Sequence, residues 1–384
     1  MKVYICSPFE SKMAKRGTRH PRLAEFLCAD GHDVEYVTTN FSHARKEYFD
    51  PQEIAHYTRT LPYKLIVLKI FGYYQHVSIR RILVHIYLSL RYFIYLINKV
   101  KRRDTIVVPS RPPELVFCVM LLKLIKGPKT LVDIRDIWPD MLTTENKVKD
   151  AVFRIYCNLY WYLTLRSIDK FVHTAPSFLN WLKRYAPRRR SQFIPLGFDA
   201  DRWLAMKPLS KSSINRKLEL VYVGELSHQI DLTGMIKAIS RNSKYFLTII
   251  GGGADTGKIK HLVRESSAKN IGFTGYIPFQ DVVEQLRTKH IGVIPMVSDA
   301  MPNKLFDYVA SCLPILALGD NDASAFVERH NIGWKKDFDV KGLRDFVTSL
   351  CVDEVVEKSK NVAKIRDRFS KEELYRKYIE LIAA

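Results

Sequence analysis

The chain has 384 residues, with 61 lysines and arginines against 40 aspartates and glutamates, and a net charge of +21 at pH 7. That length suits two domains of ordinary size. Its six cysteines are scattered, which excludes a disulfide framework or a cysteine-built zinc site. The apolar stretch Val77–Val100 is broken by Arg80, Arg81, His85 and Arg91, and Val116–Leu122 is too short to span, which excludes a clean transmembrane helix.

Met1-Lys2 leads straight into an apolar run with no hydrophobic leader, so the expected location is the cytoplasm, with reduced thiols. Lys2–Ser7 reads as a strand, followed by a loop holding Gly17 and a helix near Pro21–Ala29. Gly31–Val37 gives a turn and the next strand, and further strands are expected at Thr105–Val108, Thr130–Ile134, Lys170–His173 and Gln192–Ile194. Ile54–Arg103 contains no acid at all. Within it, Val77–Val100 is apolar, aromatic and basic together, a composition suited to a helix lying in an anionic membrane interface. The alternative is a core helix with a basic outer face.

Phe198–Trp203 and the polar Lys207–Lys217 mark a boundary. Residues 1–203 carry 34 basic and 18 acidic residues, a net +16, whereas residues 204–384 carry 27 and 22, a net +5. The expected division is 1–203, 204–370, and a final helix over 371–384 packing back toward the first domain. Beyond the boundary the chain alternates: a strand Leu218–Val223 ending at Gly224, a helix through Met235 and Ile239, and a strand Phe246–Ile250 ending at Gly251–Gly253. Next come a basic helix, a short strand reaching Gly275 and Tyr276, a helix from about Phe279, and a strand Ile291–Pro295. Strand, glycine and helix in repetition make a parallel sheet covered on both faces, whose ligands bind outside the carboxyl ends of the strands.

The segment Asp299–Asp307 then carries chemistry. Pro302 stands where a helix can begin, and Asp307 lies one turn beyond Asn303. A helix start offers free N–H groups and the positive end of the dipole, which suits a diphosphate, and Lys304 adds a cation. Asp307 can hold ribose hydroxyls, while Asp299 lies on the loop side, where a sugar would project.

These features resemble the GT-B glycosyltransferases, in particular family four of the retaining enzymes in bacterial O-antigen, capsule and exopolysaccharide synthesis. The resemblance runs through Gly17 with His20-Pro-Arg-Leu-Ala24, Gly31-His-Asp-Val34, Asp133-Ile-Arg-Asp-Ile-Trp-Pro139, Phe193-Ile-Pro-Leu-Gly-Phe-Asp199, Val223-Gly-Glu-Leu226, Ile250-Gly-Gly-Gly253, Phe273-Thr-Gly275 and the Asp299/Asp307 segment. It implies an α/β fold of two Rossmann-like domains, their parallel sheets facing across a cleft. It implies a donor site at Gly17, Gly224, Glu225, Gly252, Tyr276, Ile277, Met301, Pro302, Asn303 and Asp307. It also implies catalytic roles for Asp136, Asp299 and Lys304, and acceptor contacts from His20 and Arg135. The implied partners are a nucleotide sugar, a UDP-sugar being favoured, a lipid-linked saccharide acceptor, and the cytoplasmic face of the membrane. Neither a metal nor another cofactor is expected.

The pattern departs from the family in places. Two aspartates stand where glutamates are usual, and Glu225 and Ile230 occupy positions where the family places Arg and Lys on the donor diphosphate. An inverting glucuronosyltransferase-like enzyme with Asp136 as base, a nucleotide-sugar epimerase on the same fold, and a non-catalytic nucleotide-binding scaffold therefore stay open. Nucleic acid is not an expected partner: no helix-turn-helix, zinc finger or aromatic strand platform accompanies the basic charge.

Overall fold

A computed structural model describes the whole chain except residues 15–18, 75–77, 142–145, 204 and 215–216, so Gly17 and Val77 lie outside the described residues. Two compact units result. The first is Met1–Ile194 together with Lys377–Ala384, and the second is Pro195–Arg376.

The first unit is built on β1 (Lys2–Cys6), β2 (Asp33–Thr39), a small antiparallel ribbon β3 (Phe41–Ser42) and β4 (Glu47–Tyr48), β5 (Lys64–Leu68), β6 (Thr105–Pro109), β7 (Lys129–Ile134), β8 (Lys170–His173) and β9 (Ser191–Phe193). Seven of these form one parallel sheet in the order β5-β2-β1-β6-β7-β8-β9. β1 and β6 lie side by side, with Ile5 opposite Val107. Helices cover both faces, so β6 is buried along its whole length, which explains why such strands read as continuous apolar runs. The helices are α1 (Arg19–Ala29), α2 (Pro51–Thr60), α3 (Ile79–Ile97), α4 (Pro113–Lys126), α5 (Lys147–Thr164) and α6 (Pro176–Tyr185). α4 packs against both α3 and α5.

α3 has two apolar faces. Val84, Leu88, Tyr92 and Leu96 point into the core, while Ile79, Leu83, Ile86, Leu90 and Ile94 are exposed at helical spacing. Of the basic groups expected on its outer side, Arg80 is exposed and Arg91 half-buried, but Arg81 is buried. Arg81 instead stacks over Trp138 at 4.8 Å. α5 repeats the outward pattern with Val148, Val152, Ile155, Leu159 and Leu163 exposed.

The second unit has β10 (Leu218–Val223), β11 (Tyr245–Ile250), β12 (Ile271–Gly275), β13 (Ile291–Ile294), β14 (Ile315–Leu318) and β15 (Gly333–Lys336), a parallel sheet in the order β12-β11-β10-β13-β14-β15. Its helices are α7 (Thr233–Ile239), α8 (Thr256–Glu265), α9 (Phe279–Leu286), α10 (Asn303–Ala310), α11 (Asp322–His330), α12 (Val340–Ser349) and α13 (Val352–Arg366). The last helix, α14 (Lys371–Ala383), starts in this unit, and from Lys377 its residues group with the first. There Tyr378 is fully buried with Arg19 5.5 Å from its ring, and Lys170 donates to the Leu381 carbonyl at 2.7 Å.

Candidate functional site

Both sheets reverse their strand order next to their first strand, and each reversal leaves a crevice beyond the strand ends. In the second unit the crevice lies past β10, between β11 and β13. β10 ends at Gly224, whose φ of +134° is open to glycine but strained for other residues. The next loop approaches so closely that a side chain on Gly251 would begin 2.2 Å from the Gly224 carbonyl oxygen. This packing brings the glycines of the two loops together.

Lys304 enters the same place from the first turn of α10. Its Nζ stands 4.0 Å from the centre of the Tyr222 ring, and a Cβ on Gly224 would come within 2.9 Å of it. Burial pushes its ammonium down to about 7, against the pull of Asp307 and Glu225. Asp307, one turn along α10, is pushed up to about 7 by burial, against the pull of Lys371, Lys304 and Arg202. Asp299 is exposed and lies among acids: burial of its carboxyl, then Asp322 and Asp320, hold it above the usual range. The two aspartates thus sit in opposite electrostatic surroundings.

The remaining expected donor residues divide. Gly252 accepts from the Leu226 N–H at 3.0 Å, which ties the two glycine loops together. Glu225 is exposed, and its carbonyl accepts from the Tyr222 hydroxyl at 2.6 Å. Ile230 bridges to Met296, and Asp231 N–H donates to the Pro295 carbonyl at 2.9 Å, so the loop after β10 is laid along the end of β13. Pro302 and Asn303 form the start of α10. Met301 is buried, which leaves its backbone as the part able to face a ligand. Tyr276 is 82% exposed and Ile277 half-buried beyond the end of β12, where the Gly275 carbonyl accepts from Gly251 N–H at 2.8 Å.

The crevice of the first unit is a cavity of about 230 Å³ beyond β1, β6 and β7. It is lined by Ser7, Phe9, Glu10, His43, Ala44, Pro109, Ser110, Arg111, Arg135 and Asp136. Asp136 and Arg135 both line this cavity. Asp136 receives the Arg111 Nε at 2.7 Å, and Arg135 pairs with Glu10. His20 differs from the expected acceptor contact. It is fully buried, with Nδ1 3.0 Å from Ser7 Oγ and Nε2 2.9 Å from Asp133 Oδ2. Arg19 binds the same carboxylate at 2.7 Å. With both ring nitrogens engaged, His20 ties the loop after β1 to strand β7 and offers no ring nitrogen to an acceptor in this conformation.

Sequence reasoning did not single out Glu10, Arg111, Tyr222, Arg202 or Lys371. Tyr222 lies within an apolar strand, and the others are isolated charges whose spacing carries no motif. Their roles come from the tertiary fold.

Comparison with known families places residues 209–375, nearly the whole second unit, in a match to the family described as Glycosyl transferases group 1. No curated protein matches the chain by sequence. Among solved structures the chain is similar to sucrose-phosphate synthase from Thermosynechococcus elongatus, with a TM-score of 0.75, 14% identity, and coverage of 99% of this chain and 98% of that one. It is also similar to Anabaena HepE in complex with UDP, with a TM-score of 0.69, 12% identity and full coverage of both chains (100% and 100%). A third similar structure is WaaG, a glycosyltransferase involved in lipopolysaccharide biosynthesis, with a TM-score of 0.67, 16% identity and 99% coverage of each chain. At these identities the likeness is one of fold.

Proposed function

We propose that the chain is a GT-B glycosyltransferase that carries a sugar from a UDP-sugar to a lipid-linked saccharide at an anionic membrane surface, with retention of configuration, a reading supported by the group 1 glycosyl transferase match over residues 209–375. The observation that carries this reading is Lys304 at the start of α10, held over Tyr222 and against Gly224, with Asp307 one turn on. In this reading the donor diphosphate meets Lys304 and the first N–H groups of α10. Asp307 accepts from the ribose hydroxyls, and Asp299 faces the sugar. Glycosyl transfer breaks the bond from the anomeric carbon to the diphosphate, and negative charge develops on the leaving phosphate. A fixed cation and aligned N–H groups aimed at that charge are the main catalytic contribution. The leaving phosphate then takes the proton of the acceptor hydroxyl.

The purified protein, given membrane extract and a panel of nucleotide sugars, should transfer from a UDP-sugar to lipid with the anomeric configuration kept, as read by proton NMR of the product. Binding of no nucleotide sugar would overturn the reading, and an inverted linkage would overturn its stereochemical part.

Asp136 discriminates the mechanisms. An inverting enzyme needs a carboxylate to accept the hydroxyl proton, an effect of roughly 10²- to 10⁴-fold. Asp136 is already engaged by the Arg111 Nε at 2.7 Å, a contact that favours an orienting role. Asp136→Asn should keep measurable turnover, with its defect largely in acceptor KM and none in UDP affinity. Near-complete loss of kcat would reassign Asp136 as the base.

A second expectation follows from the charge state of Lys304. A diphosphate beside it favours the ammonium, so the complex holds its proton more tightly than the free protein does. With the free group near 7, UDP binding at pH 8 should take up close to one proton, and affinity should fall by up to about tenfold per pH unit above 7. Calorimetry in buffers of different ionisation heat measures this directly, and zero uptake at pH 8 would remove Lys304 from the diphosphate.

The membrane part of the reading is supported by the outward stripes of α3 and α5. Exposed apolar rows on two helices that flank α4 exceed the isolated apolar residues of an ordinary surface. Arg80 and Arg91 on α3, Lys99 and Lys101–Arg103 just beyond it, and Lys147 and Lys149 on α5 supply cations for anionic headgroups. No helix among the described residues is long and apolar enough to cross a membrane.

A further inference from the structure

A group of cations not yet described sits at the far end of α5, around a cavity of about 540 Å³ lined by Arg166, Ala186, Pro187, Arg188 and Arg189. Arg166 follows α5 directly in the short 3₁₀ turn Leu165–Ser167, and the other four belong to the segment just after α6. The lining holds three guanidiniums and no carboxylate. Two of the three are oriented by backbone. Arg166 Nε donates to the Tyr185 carbonyl at 3.0 Å, and Arg189 Nε donates to the Arg166 carbonyl at 3.1 Å, where its Nη2 joins it. These bonds lace the end of α5 to the segment after α6. Arg188 is exposed and has no hydrogen-bond partner among the described residues. None of the three forms an ion pair there, because the neighbouring acids are engaged elsewhere: Asp169 by Lys123, and Asp140 by Arg154 and Arg184.

We propose that this cavity is a headgroup site, in which Arg166, Arg188 and Arg189 hold the phosphate of an anionic glycerophospholipid of the membrane on which the outward face of α5 lies. The inference rests on the membrane part of the reading above. It adds a discrete lipid-binding site to what was there an apolar stripe with scattered cations.

Chemistry is the first argument. A guanidinium presents its N–H groups as a planar fork that matches phosphate oxygens, and a fork already oriented by backbone loses less freedom on binding. Arg166 uses only its Nε–H on the Tyr185 carbonyl, so the fork at its tip is left for a ligand. Like charges gathered around one space without a carboxylate repel each other until an anion enters. Size is the second argument. At about 30 Å³ per water the cavity has room for roughly eighteen, more than an inorganic phosphate needs and enough for a phosphodiester with a glycerol on either side. Position is the third, and it selects lipid as the source of the phosphate. Val152, Ile155, Leu159, Tyr162 and Leu163 are exposed along α5. Arg166 is also exposed, and it stands three residues after Leu163 and seven after Leu159. It therefore continues the same side of the helix. Apolar side chains followed by guanidiniums along one helix reproduce the order of acyl chain and headgroup in a membrane interface.

The test uses the full chain and two kinds of phosphatidylcholine vesicle matched in surface charge. One is made anionic with phosphatidylglycerol, the other with cholesteryl hemisuccinate, whose charge is a carboxylate. Wild-type protein should partition about tenfold more tightly into the first. The double variant Arg188→Gln with Arg189→Gln should bring the two to within about twofold, since loss of diffuse charge weakens both alike and only a phosphate site tells them apart. Arg188→Gln alone removes no bond seen in the structure and so leaves the fold intact; it should lower the preference about threefold. Monomeric dihexanoyl phosphatidylglycerol should bind about tenfold more tightly than sn-glycerol 1-phosphate, because its chains reach the apolar stripe. Equal binding of those two would assign the cavity to a free anion and overturn the proposal. Equal partitioning of wild-type protein into the two vesicles, or a preference that neither variant changes, would show an ordinary solvated basic loop; the proposal would fall and the membrane reading would stand. Wild-type protein that binds neither vesicle would end the membrane reading, and the proposal with it.

Discussion

Replacing Lys304 with methionine should lower kcat by about 10²- to 10³-fold, the scale seen when one preorganised group is removed from the site of developing charge. Methionine keeps an apolar stem over Tyr222, so the packing loss is small and the loss of charge dominates. The expected effect is large here because the neighbourhood of Gly224 is poor in other cations. The loop after β10 presents Glu225 and Ile230, and Glu225 opposes rather than supports charge on a diphosphate. Arg202 and Lys371 act on Asp307, and Lys371 is already paired with Asp199 at 2.7 Å. Lys304→Arg should recover only part of the rate, since a bulkier planar group must fit against Gly224. Steady-state kinetics with whichever nucleotide sugar supports transfer decide it. A fall of less than threefold in Lys304→Met would mean that the leaving charge is stabilised elsewhere.

The second large effect concerns the lipid surface. Leu83 and Leu90 are 60% and 50% exposed on the outer stripe of α3. Burying a leucine side chain is worth about 1.5–3 kcal/mol. The double change Leu83→Glu and Leu90→Glu removes two such contributions and adds repulsion from anionic headgroups. It should lower partitioning into anionic vesicles by about 10²-fold or more. Arg80→Glu alone should weaken binding at low salt and matter little at high salt, where charge is screened. Arg81 is a poor probe of the surface because it is buried against Trp138, so its replacement would disturb the core. Sedimentation with vesicles, read beside circular dichroism, measures the effect. Unchanged partitioning of the folded double variant would leave α3 without a membrane role.

Much of the fold was legible because each sheet is parallel and buried on both sides. Leu218–Val223 and Lys170–His173 match the sequence reading residue for residue, since a short apolar run ended by glycine or by a polar loop allows little else. β5 was not anticipated: Lys64–Leu68 sits at a sheet edge, and four apolar residues between Lys64 and Lys69 carry no period that separates strand from helix. The outer stripe of α5 was missed for the opposite reason. Val148, Val152, Ile155 and Leu159 have the spacing of a core face, and only the fold shows that this face is turned outward. At the candidate sites, Lys304 and Asp307 could be placed from a helix start, and Asp136 and Arg135 from a strand end. The engagement of both His20 nitrogens could not, because Ser7 reaches it from the loop after β1 and Asp133 from β7.

The discontinuous make-up of the first unit has a consequence for biosynthesis. Tyr378 and Leu381 belong to that unit, yet the whole of Pro195–Arg376 is translated before them. At about 5–20 residues per second the ribosome needs roughly ten to forty seconds to cross that interval. Throughout this delay Arg19 lacks the Tyr378 ring and Lys170 lacks the Leu381 carbonyl. The N-terminal Rossmann-like unit therefore emerges first and is completed last, and the nascent chain passes through a stage in which its second unit can mature ahead of its first.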